Sequence, residues 1–351
     1  MKMKRIEEID KNFKASAPVF DGMRTYDILK SPFSLYGLKS DSDGFFRMDK
    51  NVADTVSEGV SGLNYNTSGG CLRFRTDSRD ITLTAHLPDV CLMNHMPLTG
   101  SSSFDIYCNG SFCGVFRAPS AEKYKGVWSS SLRLPEGMKD VMIFFPLYNN
   151  VKEVFVSLEE KAAVLEGDSF CESKPIVFYG SSITQGGCAS RPGNAYPNLI
   201  SRKLNREILN LGFSGSCKAE YEMCEYIACL PMSLLVLDYD HNAPTPEFLE
   251  ATHERFFRQF RNKCPDTPVV MISVADCCFG EEDARRRKEI IKRTYENAKA
   301  NGDRNVYFLD GQRFYDETGL DNSTVDTCHP NDLGFFAFYK NISKFIKEND
   351  L

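Results

Sequence analysis

A serine that follows a buried strand is the first residue of this sequence that could do chemistry. The apolar segment 175–179 leads into the small-residue turn Gly180-Ser181-Ser182. Such a turn can hold a serine hydroxyl at the carboxyl end of a strand, where an acyl-transfer enzyme needs its nucleophile. The turn is not a GxSxG nucleophile elbow, and it lacks both the P-loop lysine and the GxGxxG spacing. By itself such a turn is weak evidence for catalysis, and a purely structural role explains it better.

A carboxylate and a histidine farther along could supply the base that a serine nucleophile requires. Asp326 precedes His329 by three residues, which places the two side chains within one turn of each other. The carboxylate could then fix the imidazole tautomer and stabilise the imidazolium that forms during catalysis. The alternative is that Asp326 or Asp332 only caps the helix that follows. Because Asp332 can serve as the cap, Asp326 and His329 remain available for chemistry.

Two further loops carry groups able to stabilise an oxyanion. Gly215 follows a predicted strand at 207–213, and Asn242 follows a predicted strand at 233–239. A glycine offers an unhindered backbone N–H, and an asparagine offers a side-chain amide. Turn geometry alone would explain the glycine equally well.

Arg191 and His241 are candidates for substrate binding. Arg191 follows the nucleophile turn and could contact a substrate hydroxyl or carboxylate, although a loop-fixing role fits the sequence as well. His241 adjoins Asn242 and could act as an electrophilic group or a substrate contact. The five histidines show no metal-ligand spacing, so we expect neither a metal nor a cofactor.

The composition limits the class of protein. The chain has 351 residues, of which 42% are hydrophobic and 26% charged, as in a globular protein large enough for two domains. With 42 basic against 48 acidic residues and no isolated basic block, it is not expected to bind nucleic acid. No apolar run is long enough to span a membrane. The sequence does not predict the oligomeric state.

The cysteines and the first residues bear on the compartment. Thirteen cysteines without a CxxC pair indicate reduced thiols. The stretch Met1–Phe13 contains no apolar core of a signal peptide. We therefore expect a cytoplasmic protein, or an exported one if a secretion signal has been removed.

Short strand-like segments fill the first half of the chain. They recur every 8–12 residues or so and are separated by turn signals such as Asn109-Gly110, a pattern that predicts a β-sandwich. We find no helical periodicity in this half. The predicted strands are 70–75, 81–87, 103–108, 114–117, 127–134, 140–145 and 150–158.

The second half alternates apolar strands with longer helices. This alternation predicts a doubly wound, flavodoxin-like domain, in which helices cover both faces of a parallel sheet of about five strands. We therefore expect a β-sandwich domain at 1–170 and an α/β domain at 171–351. The predicted strands are 175–179, 207–213, 233–239, 268–274 and 305–309, and the predicted helices are 195–204, 221–230, 246–262, 280–300 and 333–348.

The four chemical blocks, taken in order, resemble those of the SGNH/GDSL hydrolase superfamily over about 172–351. The resemblance implies that Ser182 is the nucleophile, that His329 is its base and that Asp326 orients the base. It also implies an oxyanion hole made of the backbone N–H groups of Ser182 and Gly215 and the side chain of Asn242.

The sequence departs from the family pattern at two places. Ser181 stands where the family usually has an aspartate, as in a GSSITQG-type subgroup. The segment 240–243 (DHNA) replaces the usual Gly-x-Asn-Asp block and keeps only the asparagine.

The first half is similar to the jelly-roll-like sandwich that precedes the hydrolase domain of some bacterial SGNH esterases. This similarity is carried by the segments 72–77, 103–107 and 147–151. Both resemblances together imply a carboxylic ester hydrolase that removes a small acyl group, such as acetyl, from a carbohydrate. Two alternatives stay open, namely a non-catalytic carbohydrate-binding protein on the same fold and an acyltransferase that uses the same triad.

Replacing the presumed nucleophile tests this assignment. Ser182→Ala should abolish hydrolysis of p-nitrophenyl acetate, because it removes the hydroxyl that attacks the acyl carbonyl. Circular dichroism should show an unchanged fold. Retained turnover in a folded Ser182→Ala protein would refute the assignment.

Overall fold

The computed structural model describes residues 17–276 and 278–351. The stretch Met1–Phe13, on which the expectation of no signal peptide rests, and Cys277 lie outside the described residues. Among the helices that are described, none is both long and apolar enough to cross a bilayer.

Two larger antiparallel sheets and one two-stranded sheet form the described N-terminal half. One of the larger sheets has the strand order β1-β11-β6-β9, and the other has the order β12-β5-β10-β7-β8 with β2 also paired to β5. The two-stranded sheet pairs β3 with β4. The strands are β1 (Met23–Asp27), β2 (Ser34–Tyr36), β3 (Lys39–Asp41), β4 (Gly44–Phe46), β5 (Cys71–Thr76), β6 (Asp80–His86), β7 (Phe104–Cys108), β8 (Ser111–Phe116), β9 (Val127–Arg133), β10 (Lys139–Phe144), β11 (Glu153–Glu159) and β12 (Val164–Leu165). Side chains from both sheets, such as Leu83 and Ile143, meet in one apolar core. The predicted strand-rich domain is therefore confirmed.

Three short helices interrupt this half, where helical periodicity is hard to find in the sequence, and they were not predicted. They are α1 (Lys50–Val56), α2 (Glu58–Leu63) and α3 (Leu98–Ser101). Helices this short are not stable on their own and depend on tertiary packing. For α1 and α2 this packing comes from Ala53 and Val60, since both are buried in the same apolar cluster as Leu211 and Phe213 of the second half.

A parallel sheet of five strands forms the centre of the described second half. Its order is β14-β13-β15-β16-β17, which is the flavodoxin-like order 2-1-3-4-5, as predicted. The strands are β13 (Ile176–Gly180), β14 (Ile208–Gly212), β15 (Leu234–Asp238), β16 (Val269–Ile272) and β17 (Val306–Leu309). The helices are α4 (Ser182–Gln185), α5 (Tyr196–Leu204), α6 (Tyr221–Ala228), α7 (Pro246–Lys263), α8 (Glu281–Ala300), α9 (Leu320–Ser323) and α10 (Asp332–Glu348).

Helices cover both faces of this sheet. Successive residues of β13 point to opposite sides, with Tyr179 in the cluster that includes α6, α7 and α8 and Phe178 in the cluster that includes α5 and α10. A strand buried on both faces must be apolar at every position, which explains why the predicted strands are nearly continuous apolar runs. The segment 166–175 joins β12 to β13, and a domain boundary at 170/171 remains a prediction.

A buried polar contact joins the two halves. Asp105 on β7 is fully buried, and its carboxylate accepts hydrogen bonds from Arg191 Nη1 at 3.0 Å and from the backbone N–H of Gly193 at 3.0 Å. The hydroxyl of Tyr107 donates to the same carboxylate at 2.9 Å. The charged guanidinium therefore has its partner in the other half of the chain.

Removing this carboxylate should destabilise the protein. Asp105→Ala leaves the Arg191 side chain, which is 21% exposed, and the buried Gly193 N–H without their common acceptor, and the loss of an acceptor from buried donors typically costs about 1–3 kcal/mol in the free energy of unfolding. The matched control is Asp168→Ala, which breaks an exposed pair with Arg75 and should cost less than about 1 kcal/mol. Urea denaturation followed by fluorescence measures both. Equal, small losses would contradict a structural role for Asp105.

Candidate active site

Ser182 begins the short helix α4 immediately after β13. The hydroxyl of Ser181 accepts a hydrogen bond from the backbone N–H of Ile183 at 3.2 Å and so caps this helix. Serine and aspartate are both strong N-caps, so the departure from the family pattern at Ser181 keeps this interaction.

Two glycines let α4 pack directly on the ends of the strands. A Cβ atom at Gly180 would lie 2.0 Å from Thr184 Oγ1, and one at Gly212 would lie 2.4 Å from the backbone nitrogen of Gln185. A larger residue at position 180 or 212 would therefore collide with α4 unless the backbone of the helix moved. The position of the Ser182 hydroxyl is therefore set by backbone packing.

Ser182, His329 and Asp326 form a continuous hydrogen-bonded chain. Ser182 Oγ lies 2.9 Å from His329 Nε2, and His329 Nδ1 lies 2.8 Å from Asp326 Oδ2. The backbone N–H of His329 also donates to Asp326 Oδ1 at 2.7 Å. Burial raises the pKa of Asp326, but these two hydrogen bonds and the imidazole charge outweigh it and leave the pKa below its ordinary value. An ionised Asp326 can hold the Nδ1 proton, which leaves Nε2 facing the serine as an acceptor.

The two loops predicted to stabilise an oxyanion are bonded to each other. The backbone N–H of Gly215 donates to Asn242 Oδ1 at 3.0 Å, and Asn242 Nδ2 donates to the carbonyl of Phe213 at 3.0 Å. Gly215 can therefore act as an oxyanion donor only after Asn242 releases it. The Ser182 N–H lies in the first turn of α4, where no intrahelical acceptor exists, and the Asn242 amide has a second N–H.

The two residues predicted to bind substrate both contact other protein groups. Arg191 directs its guanidinium to Asp105 and also lies 4.0 Å from the ring centroid of Phe112, so it fixes a loop between the two halves. The His241 side chain is only 6% exposed. Its Nε2 lies 2.7 Å from Asp276 Oδ2, and its Nδ1 lies 3.2 Å from Asp240 Oδ1. Both side chains are thus directed to protein groups.

The N-terminal half contributes residues next to the nucleophile that the sequence analysis did not assign. The hydroxyl of Tyr148 donates to the backbone carbonyl of Ser182 at 3.1 Å. The ring of His95 lies 5.6 Å from the ring of His329, centroid to centroid. A Cβ at Gly187 would lie 3.0 Å from the Tyr148 hydroxyl and 3.3 Å from His329 Cδ2, so these groups are closely packed. Neither Tyr148 nor His95 has a spacing to Ser182 that a sequence motif could reveal.

Gln185 connects the back of the nucleophile helix to the N-terminal half. Its side chain is fully buried and donates to Asn66 Oδ1 at 3.1 Å and to the carbonyl of Leu147 at 3.2 Å. The hydroxyl of Ser68 donates to the Gln185 carbonyl at 2.6 Å. The helix that carries Ser182 is therefore held from both domains.

A buried carboxylate holds the other side of the nucleophile helix. Asp238 Oδ2, at the end of β15, accepts hydrogen bonds from Thr184 Oγ1 at 2.9 Å and from the hydroxyl of Tyr196 at 2.8 Å. Burial, together with the nearby charge of Asp240, raises the pKa of Asp238 to about 7. This carboxyl is therefore protonated more readily in the folded protein than in the unfolded chain.

This raised pKa predicts how stability changes with pH. An aspartate titrates near pH 4 in an unfolded chain and near pH 7 here, so the folded state binds the extra proton between these values. The contribution of Asp238 to stability is thus greatest at low pH and falls as the pH rises to about 7. Asp238→Asn removes this dependence. Urea denaturation of both proteins at pH 5 and pH 8 should show the variant losing less stability than the parent, and parallel losses would contradict the prediction.

Comparisons with known proteins were made for both halves. Residues 173–347 match the family model of GDSL-like lipases/acylhydrolases, and residues 24–164 match the N-terminal domain model of SGNH-hydrolase-type esterases. No curated protein matches the chain at a significant level.

Solved structures resemble the whole described architecture. A putative GDSL-like lipase from Bacteroides ovatus is 27% identical, with a TM-score of 0.83 over 93% of this chain and 97% of its own. A salicylyl-acyltransferase from a tetracycline biosynthetic pathway is 21% identical, with a TM-score of 0.77 over 95% and 99%. An acetyl xylan esterase from Butyrivibrio proteoclasticus is 13% identical, with a TM-score of 0.60 over 93% and 98%. At 21% and 13% identity, the last two structures show that the fold is shared.

Proposed function

Because the chain belongs to the GDSL-like lipase/acylhydrolase family through residues 173–347 and is thus an esterase or acylhydrolase, we propose that Ser182 is its nucleophile. The observation that supports this role is the hydrogen-bonded chain from Ser182 Oγ through His329 to Asp326, with distances of 2.9 and 2.8 Å. The same chain of bonds supports His329 as the base and Asp326 as the group that orients it.

The first step is attack on the acyl carbonyl. Ser182 Oγ forms a bond to the carbonyl carbon while His329 Nε2 takes the hydroxyl proton, and the carbonyl electron pair moves to its oxygen. The imidazolium that forms is stabilised by Asp326, whose pKa is held below its ordinary value. His329 then gives its proton to the leaving alcohol oxygen, and the ester bond breaks. Water repeats the sequence on the acyl-enzyme and releases the carboxylate.

The oxyanion of each tetrahedral intermediate needs hydrogen-bond donors. We propose that the Ser182 backbone N–H and the second N–H of the Asn242 amide act first, because neither is used by the bonds that join Asn242 to Gly215 and Phe213. Gly215 becomes a third donor when its N–H leaves Asn242 Oδ1. In serine hydrolases one such donor is worth about 2.7–4 kcal/mol in transition-state stabilisation.

The proposed substrate is a small acyl ester, with acetyl as the first candidate, carried by a carbohydrate. The fold likeness to an acetyl xylan esterase supports this choice, because both domains of the chain share in it. The contacts of Tyr148 and His95 with the nucleophile and its base support a site bordered by the sandwich domain. A lipase is disfavoured, because the sequence has no long apolar segment near the motifs that could form a lid.

An activity screen tests this proposal. The protein should release acetate from at least one acetylated oligosaccharide, and the matched Ser182→Ala protein should release none. Acetate is quantified in a coupled enzymatic assay, with a longer-chain acyl ester as a comparison substrate. Glycan binding without turnover of any ester would contradict the proposal and favour a non-catalytic binding protein.

The same screen distinguishes hydrolysis from acyl transfer. The likeness in fold to a salicylyl-acyltransferase favours keeping this second candidate, because both reactions proceed through the same acyl-enzyme and differ only in the acceptor. Adding a non-acetylated sugar and analysing the products by mass spectrometry identifies the acceptor. Acetate as the main product supports an esterase, and an acetylated acceptor sugar supports a transferase.

A further inference from the structure

Four side chains of metal-ligating type meet beside the triad without belonging to it. They are His241 after β15, Asp276 and Cys278 after β16, and Cys328 in the segment before α10. Their ligand atoms all lie within 4.8 Å of one another. Within the cluster, His241 Nε2 lies 2.7 Å from Asp276 Oδ2. Three loops at the carboxyl edge of the sheet thus bring one imidazole, one carboxylate and two thiols to a single point.

This donor set matches a tetrahedral zinc site. Zinc binds thiolate sulfur at about 2.3 Å and histidine nitrogen or carboxylate oxygen at about 2.0–2.2 Å, and structural sites use four such ligands. In that geometry the ligand atoms lie roughly 3.3–3.8 Å apart, so only small side-chain shifts separate the observed cluster from a closed site. Magnesium and calcium are disfavoured, because they prefer oxygen ligands.

The surroundings of the cluster provide the second observation. Asp240 is only 1% exposed, and neither of its carboxylate oxygens has a hydrogen-bond partner among the described residues. Its Oδ1 lies 3.2 Å from His241 Nδ1. Among the described residues, His241 Nδ1 has no hydrogen-bond partner either. A metal-binding histidine usually donates its other ring N–H to a carboxylate, and Asp240 lies where a small rotation of the His241 ring would make that bond.

A backbone hydrogen bond to one oxygen of Asp276 orients the carboxylate so that its other oxygen can bind a metal. The backbone N–H of Cys278 donates to Asp276 Oδ1 at 3.0 Å, while Oδ2 faces His241. Asp240 and Asp276 are both buried, at 1% exposure each. A divalent cation would balance this concentration of buried negative charge, since His241 carries at most one positive charge.

We propose that His241 Nε2, Asp276 Oδ2, Cys278 Sγ and Cys328 Sγ bind one zinc ion. Binding displaces the proton shared by His241 and Asp276 and releases the protons of the two thiols to solvent, because only the deprotonated groups are ligands. All four positions are filled by protein, so the ion has a structural role. Cys328 lies between Asp326 and His329 in the sequence, and the ion therefore anchors the segment that carries the base.

Cobalt titration of the intact protein tests the site. The reduced, chelator-treated full chain is titrated with Co²⁺ alone. The expected result is one ion per chain with thiolate-to-cobalt charge-transfer absorption that Zn²⁺ abolishes by displacement. Cys278→Ser and Cys328→Ser should each lower the Co²⁺ affinity by more than about tenfold, and Asp240→Asn should lower it by about 10–100-fold while keeping the absorption.

The controls separate this site from the proposed catalysis and from other thiols. Cys229→Ser changes an exposed cysteine outside the cluster and should leave binding unchanged. Ser182→Ala should bind Co²⁺ like the parent protein, so the outcome does not depend on activity. The proposal is refuted if the parent shows no charge-transfer absorption, or if a Cys278→Ser/Cys328→Ser double variant keeps it. It is also refuted if mass spectrometry shows a Cys278–Cys328 disulfide and the reduced protein takes up no metal.

Discussion

A serine hydroxyl can pass its proton to an imidazole only if the two groups are held within hydrogen-bond distance, and much of this structure serves that condition. The Ser182–His329 distance of 2.9 Å joins two segments that are far apart in the sequence. The first segment is held because glycines at 180 and 212 let α4 rest directly on the strand ends. The second is held because Asp326 binds both the backbone and the ring of His329.

The sandwich domain takes part in this arrangement. Tyr148 contacts the carbonyl of Ser182, and Asn66 and Ser68 bind Gln185 at the end of the same helix. Asp105 holds the loop that follows, through Arg191. The N-terminal half is thus a structural partner of the helix that carries Ser182, and it holds that helix and the loop after it through directed hydrogen bonds from hydroxyl, amide and carboxylate side chains. Hydrophobic burial alone would not fix the helix with this precision, since apolar contacts are non-directional.

Sequence reasoning could predict features that are local in the chain. The parallel strands can be predicted from the sequence because burial on both faces requires continuous apolar runs. The pair of Asp326 and His329 could be predicted because the two residues are only three positions apart. Arg191, by contrast, depends on Asp105 of the other domain, and the bond between Gly215 and Asn242 depends on how two loops meet. Helices α1 and α2 escaped prediction because packing against the α/β domain stabilises them. The cluster around Cys278 has no motif, because its members come from three loops.

The distance along the chain between Ser182 and His329 has a consequence for biosynthesis. These residues are 147 positions apart, and the sandwich that supports Ser182 precedes both. Because domains generally fold in the order of synthesis, the sandwich and the first strands can form while the base is still being translated. A nascent chain would then carry a positioned Ser182 that still lacks His329, its proposed base. With the triad proposed above, hydrolytic activity is acquired late in synthesis, and its appearance reports that both domains have folded and docked.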